Sequence, residues 1–339
     1  MSLADICVAL MAVGLTAYAV LGGADFGTGL WDLTAGGPER GKPIRDMIRR
    51  SMGPVWEANH VWLIFVLVVF WTAFPVAFGS VMSTLYVPLF LAVAGIILRG
   101  TAFAVRGEAA TIAEARLLGA AFALSSLITP FCLGAAIGGI ASGRVPVGNA
   151  TGDALSSWLN PTSIVVGVLA VLTGAYLAAV YLAADATRAG QRDLARRFRM
   201  RALVAGALAG ATAIGGLLAI RDDAPELYDG LTSRTGGVAC LAVSVVAGVG
   251  TLALVWRERY RAARFCAAVA VASITVGWAF AQHPYLLPGA LTVEQASAPH
   301  ATLIALLASI AAGLLVIGPA LLLLYRLALR GRLDPEARP

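Results

Sequence analysis

Charge is scarce in this chain. Only 13% of its 339 residues are Asp, Glu, Lys or Arg, against about 25% in soluble domains. With 59% hydrophobic residues and a mean hydropathy of +0.82, that scarcity excludes a water-soluble globular fold. Histidine is scarcer still: His60, His283 and His300 are the full set. No pair of them stands on facing apolar runs, so the sequence predicts no axial pair for a haem in this chain. The four cysteines, Cys7, Cys132, Cys240 and Cys266, each lie in an apolar run and form no CxxC. They read as small buried hydrophobes, and no metal ligand set is expected. A phosphate-binding loop, an HExxH pair and a nucleophile elbow are all missing, so no catalytic residue is assigned to the chain. MSLAD at the start has no positive n-region, so the first apolar run is expected to be a retained span.

What is present is a succession of apolar runs of about 20 residues, the length of a membrane-crossing helix. Nine are expected: Asp5–Leu33, Pro54–Phe78, Val81–Val105, Arg116–Ile140, Ser163–Ala184, Ala202–Ile220, Val238–Trp256, Phe265–Gln282 and Thr302–Tyr325. The second and third should form a hairpin with a tight turn. This is an all-α polytopic membrane protein, with residues 1–339 as one integral membrane domain. The net charge of +6 would suggest nucleic acid in a soluble protein; here topology explains it. Counting helix ends, 22 of the 25 Lys and Arg fall on one side, and only Arg144, Arg221 and Arg234 on the other. The positive-inside rule then puts the N-terminus outside and the C-terminus inside. The segment from Gln282 to His300 is expected to lie across the outer surface. Glycine and alanine crowd spans four to seven, which suits close helix packing.

Ionisable residues at membrane depth are costly and mark a functional site by default. Asp25 sits in the glycine-rich run GGADFGTGLWDL, Glu57 at the start of the second span, and Arg99 in the last turns of the third. Counting about 1.5 Å per residue places all three at one depth near the basic side. His60 follows Glu57 by three positions and should share its face; Trp56 and Asn59 are further polar candidates. Two acids and one base suit a hydrated proton entry, an ion-pair brace between helices or a small-ion site. Asp5 and Asp32, near helix ends, are expected to be solvated.

Several stretches carry a resemblance: GGADFGTGLWDL (22–33), SMGPVWEANHVWLI (51–64), WTAFPVAFGS (71–80), LYVPL (85–89), LRGTAFAVR (98–106) and GWAFAQHPYLLPGALTVEQASAP (277–299). In order and spacing the chain resembles subunit II of the cytochrome bd-type quinol oxidases. That resemblance implies two four-helix bundles plus one extra helix, here 1–140, 163–282 and 302–325. It implies a complex with a larger, haem-bearing subunit I that holds haem b, haem d and the main quinol site. The complex would oxidise quinol and reduce oxygen to water, taking protons from the cytoplasm. Subunit II would lie in the bacterial inner membrane and hold no haem, while lending part of the proton path, which maps to Asp25, Glu57 and Arg99. The same resemblance leaves room for small single-helix accessory subunits and for a structural quinone or lipid. Three positions depart from the family pattern: Gly22 and Ala104 stand where an acid is frequent, and Glu57 where Asp is. The competing class is a proton-coupled secondary transporter. It fits poorly with nine spans, since inverted repeats favour matched halves.

Overall fold

A computed structural model describes residues 2–53, 55–105 and 111–329. Nine helices among the described residues are long and apolar enough to cross a membrane. The expected start at Pro54 and the arginines Arg106, Arg330, Arg332 and Arg338 lie outside the described residues. The elements run α1 (Leu3–Ala17), a π-helical turn (Tyr18–Gly22), α2 (Gly23–Leu33), α3 (Pro38–Met52), α4 (Trp56–Ala73), α5 (Pro75–Thr84) and α6 (Tyr86–Val105). They continue with α7 (Ile112–Ala141), α8 (Pro161–Arg188), α9 (Arg192–Asp223), α10 (Pro225–Thr232), α11 (Thr235–Trp256) and α12 (Tyr260–Gln282). A two-stranded hairpin, β1 (Tyr285–Leu287) and β2 (Leu291–Thr292), leads into α13 (Val293–Ala296) and α14 (His300–Leu329). The first span is α1, the π turn and α2 together, Leu3–Leu33.

The hairpin of spans two and three is not closed by a tight turn. α4 stops at Ala73, five residues short of the expected end at Phe78, and α5 intervenes before α6. Pro75 is the cause. Its ring forces the preceding residue out of the helical region, and Phe74 sits at φ −137°, ψ 60°. Pro75 then opens α5, where its missing N–H costs nothing. The segment that follows α12 closes over this break, and the Ala298 N–H donates to the Ala73 carbonyl at 2.8 Å. Leu287, Val293, Ala296 and Ala298 are buried there, so the segment caps α4.

The basic loop between spans one and two is also a helix. In α3, Ile44, Met47, Ile48 and Met52 recur at three- and four-residue spacing and are buried, while Arg40, Lys42 and Arg49 are exposed. That amphipathic stripe lays α3 against the bundle.

α8 is the central post. Ala175, Leu177, Ala179, Val180 and Ala183 are 0% exposed, and α8 packs on α2, α7, α9 and α12. The crossing with α2 is backbone on backbone: a Cβ on Gly27 would lie 1.9 Å from the Gly174 carbonyl oxygen. Trp31 Nε1 donates to the Ala175 carbonyl at 2.9 Å just beyond it. A second close approach, at Gly29, brings α2 onto α7, where a Cβ would lie 2.1 Å from that of Ser126. These small residues do the packing work that such stripes do in membranes, and they set the distances of the site.

Candidate functional site

Asp25 stands in the first turn of α2, directly after the π turn. Such turns are frequent at functional sites. Its carboxyl group is buried, at 6% exposure. Oδ2 accepts from Asn59 Nδ2 at 2.6 Å. Asn59, itself 2% exposed, comes from the first turn of α4. Its Oδ1 accepts from the Tyr325 hydroxyl of α14 at 3.0 Å.

Arg99 of α6 is 1% exposed. Its Nε donates to Ser126 Oγ on α7 at 3.0 Å. A terminal nitrogen donates to the main-chain oxygen of Asp25 at 2.6 Å and meets Met52 Sδ of α3 at 3.1 Å. Thr28 Oγ1 donates to the same Asp25 oxygen at 2.6 Å. The guanidinium carbon lies 4.8 Å from the Phe26 ring centre and 5.1 Å from that of Phe122. A buried cation is costly unless paired and hydrogen-bonded. Here the cost is met by three polar contacts and two aromatic faces, with the Asp25 carboxylate near but not directly gripped.

Glu57 is placed elsewhere. Two residues along a helix turn about 200°, so with Asn59 facing α2, Glu57 faces away. It is exposed, at the end of a stripe with Val61, Ile64, Val68 and Trp71, all exposed. The expected three-way cluster is therefore corrected: Asp25 and Arg99 come together, and Asn59 occupies the inward place that Glu57 was expected to take. His60 lies beside the pair. Its Nδ1 is 2.8 Å from the Trp56 carbonyl oxygen, and its ring meets Tyr18, Phe26 and Trp56 edge-on at 5.9, 5.7 and 6.2 Å. Trp56 packs in turn on Phe103.

Asp32 is a second correction. It is not solvated but 4% exposed, and it accepts from Arg45 Nε at 2.9 Å. α3 folds back under α2 and carries Arg45 to it. A cavity of about 210 Å³ whose lining includes Asp32, Arg45, Phe103 and Phe122 lies there. Phe122 is one of the two rings on Arg99, so the cavity reaches from the basic end almost to the site. Asp5 caps α1 through Ser2 and lies 3.4 Å from His283 Nε2.

Among the described residues, His60 and His283 do not pair as haem ligands. His283 is tied to Asp5, while His60 lies at the level of Asp25, 20 residues further along the same span, about 30 Å away. His60 is walled by aromatic rings, and among the described residues no second histidine faces it. Among the described residues, no three His, Cys, Asp or Glu come together as a metal-ligand group.

Ser126, Met52, Phe26, Phe122 and Tyr325 were not singled out from the sequence. Met52 closes the basic segment between spans one and two and the other four stand in apolar runs, and only the packing shows which of them meet Asp25, Arg99 or Asn59.

A family model described as cytochrome bd terminal oxidase subunit II matches residues 3–328. The chain belongs to that family. Cytochrome bd ubiquinol oxidase subunit 2 of Bacillus subtilis (strain 168) is 32% identical over 133 residues, 39% of this chain and 38% of that protein. A putative cytochrome bd menaquinol oxidase subunit II of the same organism is 25% identical over 237 residues, covering 68% of this chain and 67% of that one. Cytochrome bd-I ubiquinol oxidase subunit 2 of Escherichia coli (strain K12) is 27% identical over 169 residues, 48% of this chain and 43% of that protein. The alignments with the first and third of these relatives thus span less than half of their length. A chain in the structure of bd oxidase from Geobacillus thermodenitrificans superposes with a TM-score of 0.75 at 28% identity, covering 96% of this chain and 98% of that one. Family and nine apolar helices together make this bd oxidase subunit II a multi-pass protein of the bacterial inner membrane.

Proposed function

We propose that this subunit II serves a terminal oxidase complex that oxidises quinol and reduces oxygen to water, and that it carries protons part of the way to the site of oxygen reduction. The haems b and d of such a complex would be held by the partner, subunit I, and would supply the electron transfer and oxygen chemistry. This chain's own residues would hold and move protons. The N-terminus would face out and the basic end the cytoplasm, as the charge asymmetry requires.

The observation that carries this reading is the state of the Asp25 carboxyl group. It is buried and held by one neutral donor, with the nearby cation occupied by a main-chain oxygen and a serine. Acids inside membranes recur in proton relays, and an acid can relay only if it can change charge. The cavity beside Asp32 and Arg45 offers water from the basic end. Glu57 supports the exit. A carboxylate on an apolar transmembrane face is costly in lipid, so that stripe calls for a cover, and subunit I is the proposed one. Obligate interfaces of this kind bury more than about 2,000 Å².

A proton-coupled transporter would use the same acid, but it would show broken helices in both halves. Among the described residues the one π-helical turn is in the first span, which favours the oxidase. Purification tests the choice. A tagged chain taken gently from its native membrane should bring a larger haem-bearing chain and a visible absorption spectrum. The chain expressed alone should carry no stoichiometric haem. A colourless, active single-chain preparation would end the proposal.

A further inference from the structure

Asn59 has its two polar groups committed in opposite directions, Nδ2 to Asp25 and Oδ1 to Tyr325. An ionised carboxylate only accepts hydrogen bonds, so this setting of the amide is the one a charged Asp25 requires. If Asp25 takes up a proton on Oδ2, its new O–H meets the Asn59 N–H₂ group, donor against donor. The amide satisfies both by turning over. Oδ1 then accepts the Asp25 O–H, and Nδ2 swings toward Tyr325. A phenolic hydroxyl can donate or accept, so Tyr325 serves either setting. Its oxygen also has a second donor close by, since the buried Trp62 Nε1 faces it without closing a hydrogen bond.

We infer that Asn59 and Tyr325 form a two-position hydrogen-bond switch that keeps Asp25 satisfied both charged and protonated. Tyr325, in the last helix and 266 positions from Asn59, is thereby a positioning residue for the proton step. The inference rests on the proton-path reading above. The proton itself arrives from water at the basic end, resides on Asp25 and leaves as a proton, with no bond between heavy atoms made or broken. The titratable groups near enough to act electrostatically on Asp25 are Arg99 from α6, Tyr18 from the π turn, Tyr181 from α8 and Tyr325 from α14. His60 from α4 faces Arg99, and α3 and α7 contribute the uncharged Met52 and Ser126. Of these, Tyr325 alone is hydrogen-bonded to Asn59 among the described residues.

In the purified complex, Tyr325→Phe removes the partner that both settings need. Quinol-driven oxygen uptake should fall about tenfold, the weight of one hydrogen bond missing from one state. The KM for quinol and the haem content should stay as they are, and the pH profile of turnover should shift. A merely structural Tyr325 would lower haem content or thermal stability and leave the pH profile in place, which would overturn the switch. Should Tyr325→Phe not assemble, the unmodified complex answers the same question. With ¹³C in the asparagine side-chain carbonyls, one asparagine infrared band should move in step with a protonated-carboxyl band as pH is varied. A carboxyl band that titrates while every asparagine band stays still would overturn the switch. Asp25→Asn is the companion measurement. Full turnover there would end the proton-path reading itself, whereas lost turnover there with an unchanged Tyr325→Phe would end the switch alone.

Discussion

Two arginine–aspartate neighbourhoods stand at opposite ends of the bundle, and they are wired differently. At the end away from the basic loops, Arg144 grips Asp223 with two parallel bonds of 3.1 and 2.5 Å. Asp223 also accepts from the main-chain N–H and hydroxyl of Thr162 at 3.0 and 2.5 Å. That carboxylate has four donors and ties the loop after α7 to the ends of α8 and α9. At the basic end, Arg99 passes over the Asp25 carboxylate for its main-chain oxygen, and the carboxylate is left with Asn59. The first arrangement is a brace, because a bidentate pair is strong and geometrically fixed. The second leaves an acid whose charge is not locked by a direct ion pair. The same two residue types thus serve rigidity in one place and, on our reading, proton transfer in the other.

The comparison breaks first at Asp25. Asp25→Asn keeps the main-chain oxygen that Arg99 holds, so the complex should assemble with its haem content intact. Turnover should fall by about a hundredfold or more, the scale of losing a group that handles protons directly. Haem loss in step with activity would make Asp25 another brace. Glu57→Gln comes next. Glutamine keeps the size of Glu57 and its hydrogen-bonding capacity on the stripe proposed to meet subunit I, so assembly should survive, and oxygen uptake should slow by about tenfold if Glu57 passes protons toward subunit I. Full activity would remove it from the path. At the other end, Asp223→Asn should cost about 1–2 kcal/mol of stability, discounted because Arg144 is about a third exposed, with turnover per haem unchanged. Thermal unfolding monitored alongside oxygen uptake separates the two quantities. The smallest effect is expected from reporters. One fused near the C-terminus should behave as cytoplasmic, and one inserted within 148–153 as periplasmic, with activity hardly touched; the reverse pattern would turn the chain over and move the proton entry to the wrong side.

The nine spans were legible because each is a long apolar run and the loop charges alternate between two sides. α3 was not, because its four apolar residues are scattered among arginines in a segment that reads as loop. The Phe74–Pro75 break was visible as a proline but not as a helix end, since apolar residues continue on both sides. At the site, Asp25 and Arg99 were legible as rare charges at membrane depth. Which of Glu57 and Asn59 faces inward was not. Both lie in the first turn of one helix, and the choice depends on the rotation of α4 against α2. The polar character of Asn59 was noted, but a neutral amide two residues from a carboxylate gives no sign that it is the one facing Asp25. Asp32 looked solvated because nothing in the sequence announces that Arg45 returns to it across a turn. Tyr325 reads only as the end of the last apolar run until α14 is seen beside α4.

The most direct measurement is quinol-driven oxygen uptake per haem for Asp25→Asn and Asp223→Asn complexes prepared side by side. The wiring of the two neighbourhoods predicts an Asp25→Asn complex with full haem and little turnover, and an Asp223→Asn complex with full turnover per haem and lower thermal stability. Equal turnover per haem in the two would contradict the claim that the buried acid at the basic end handles protons.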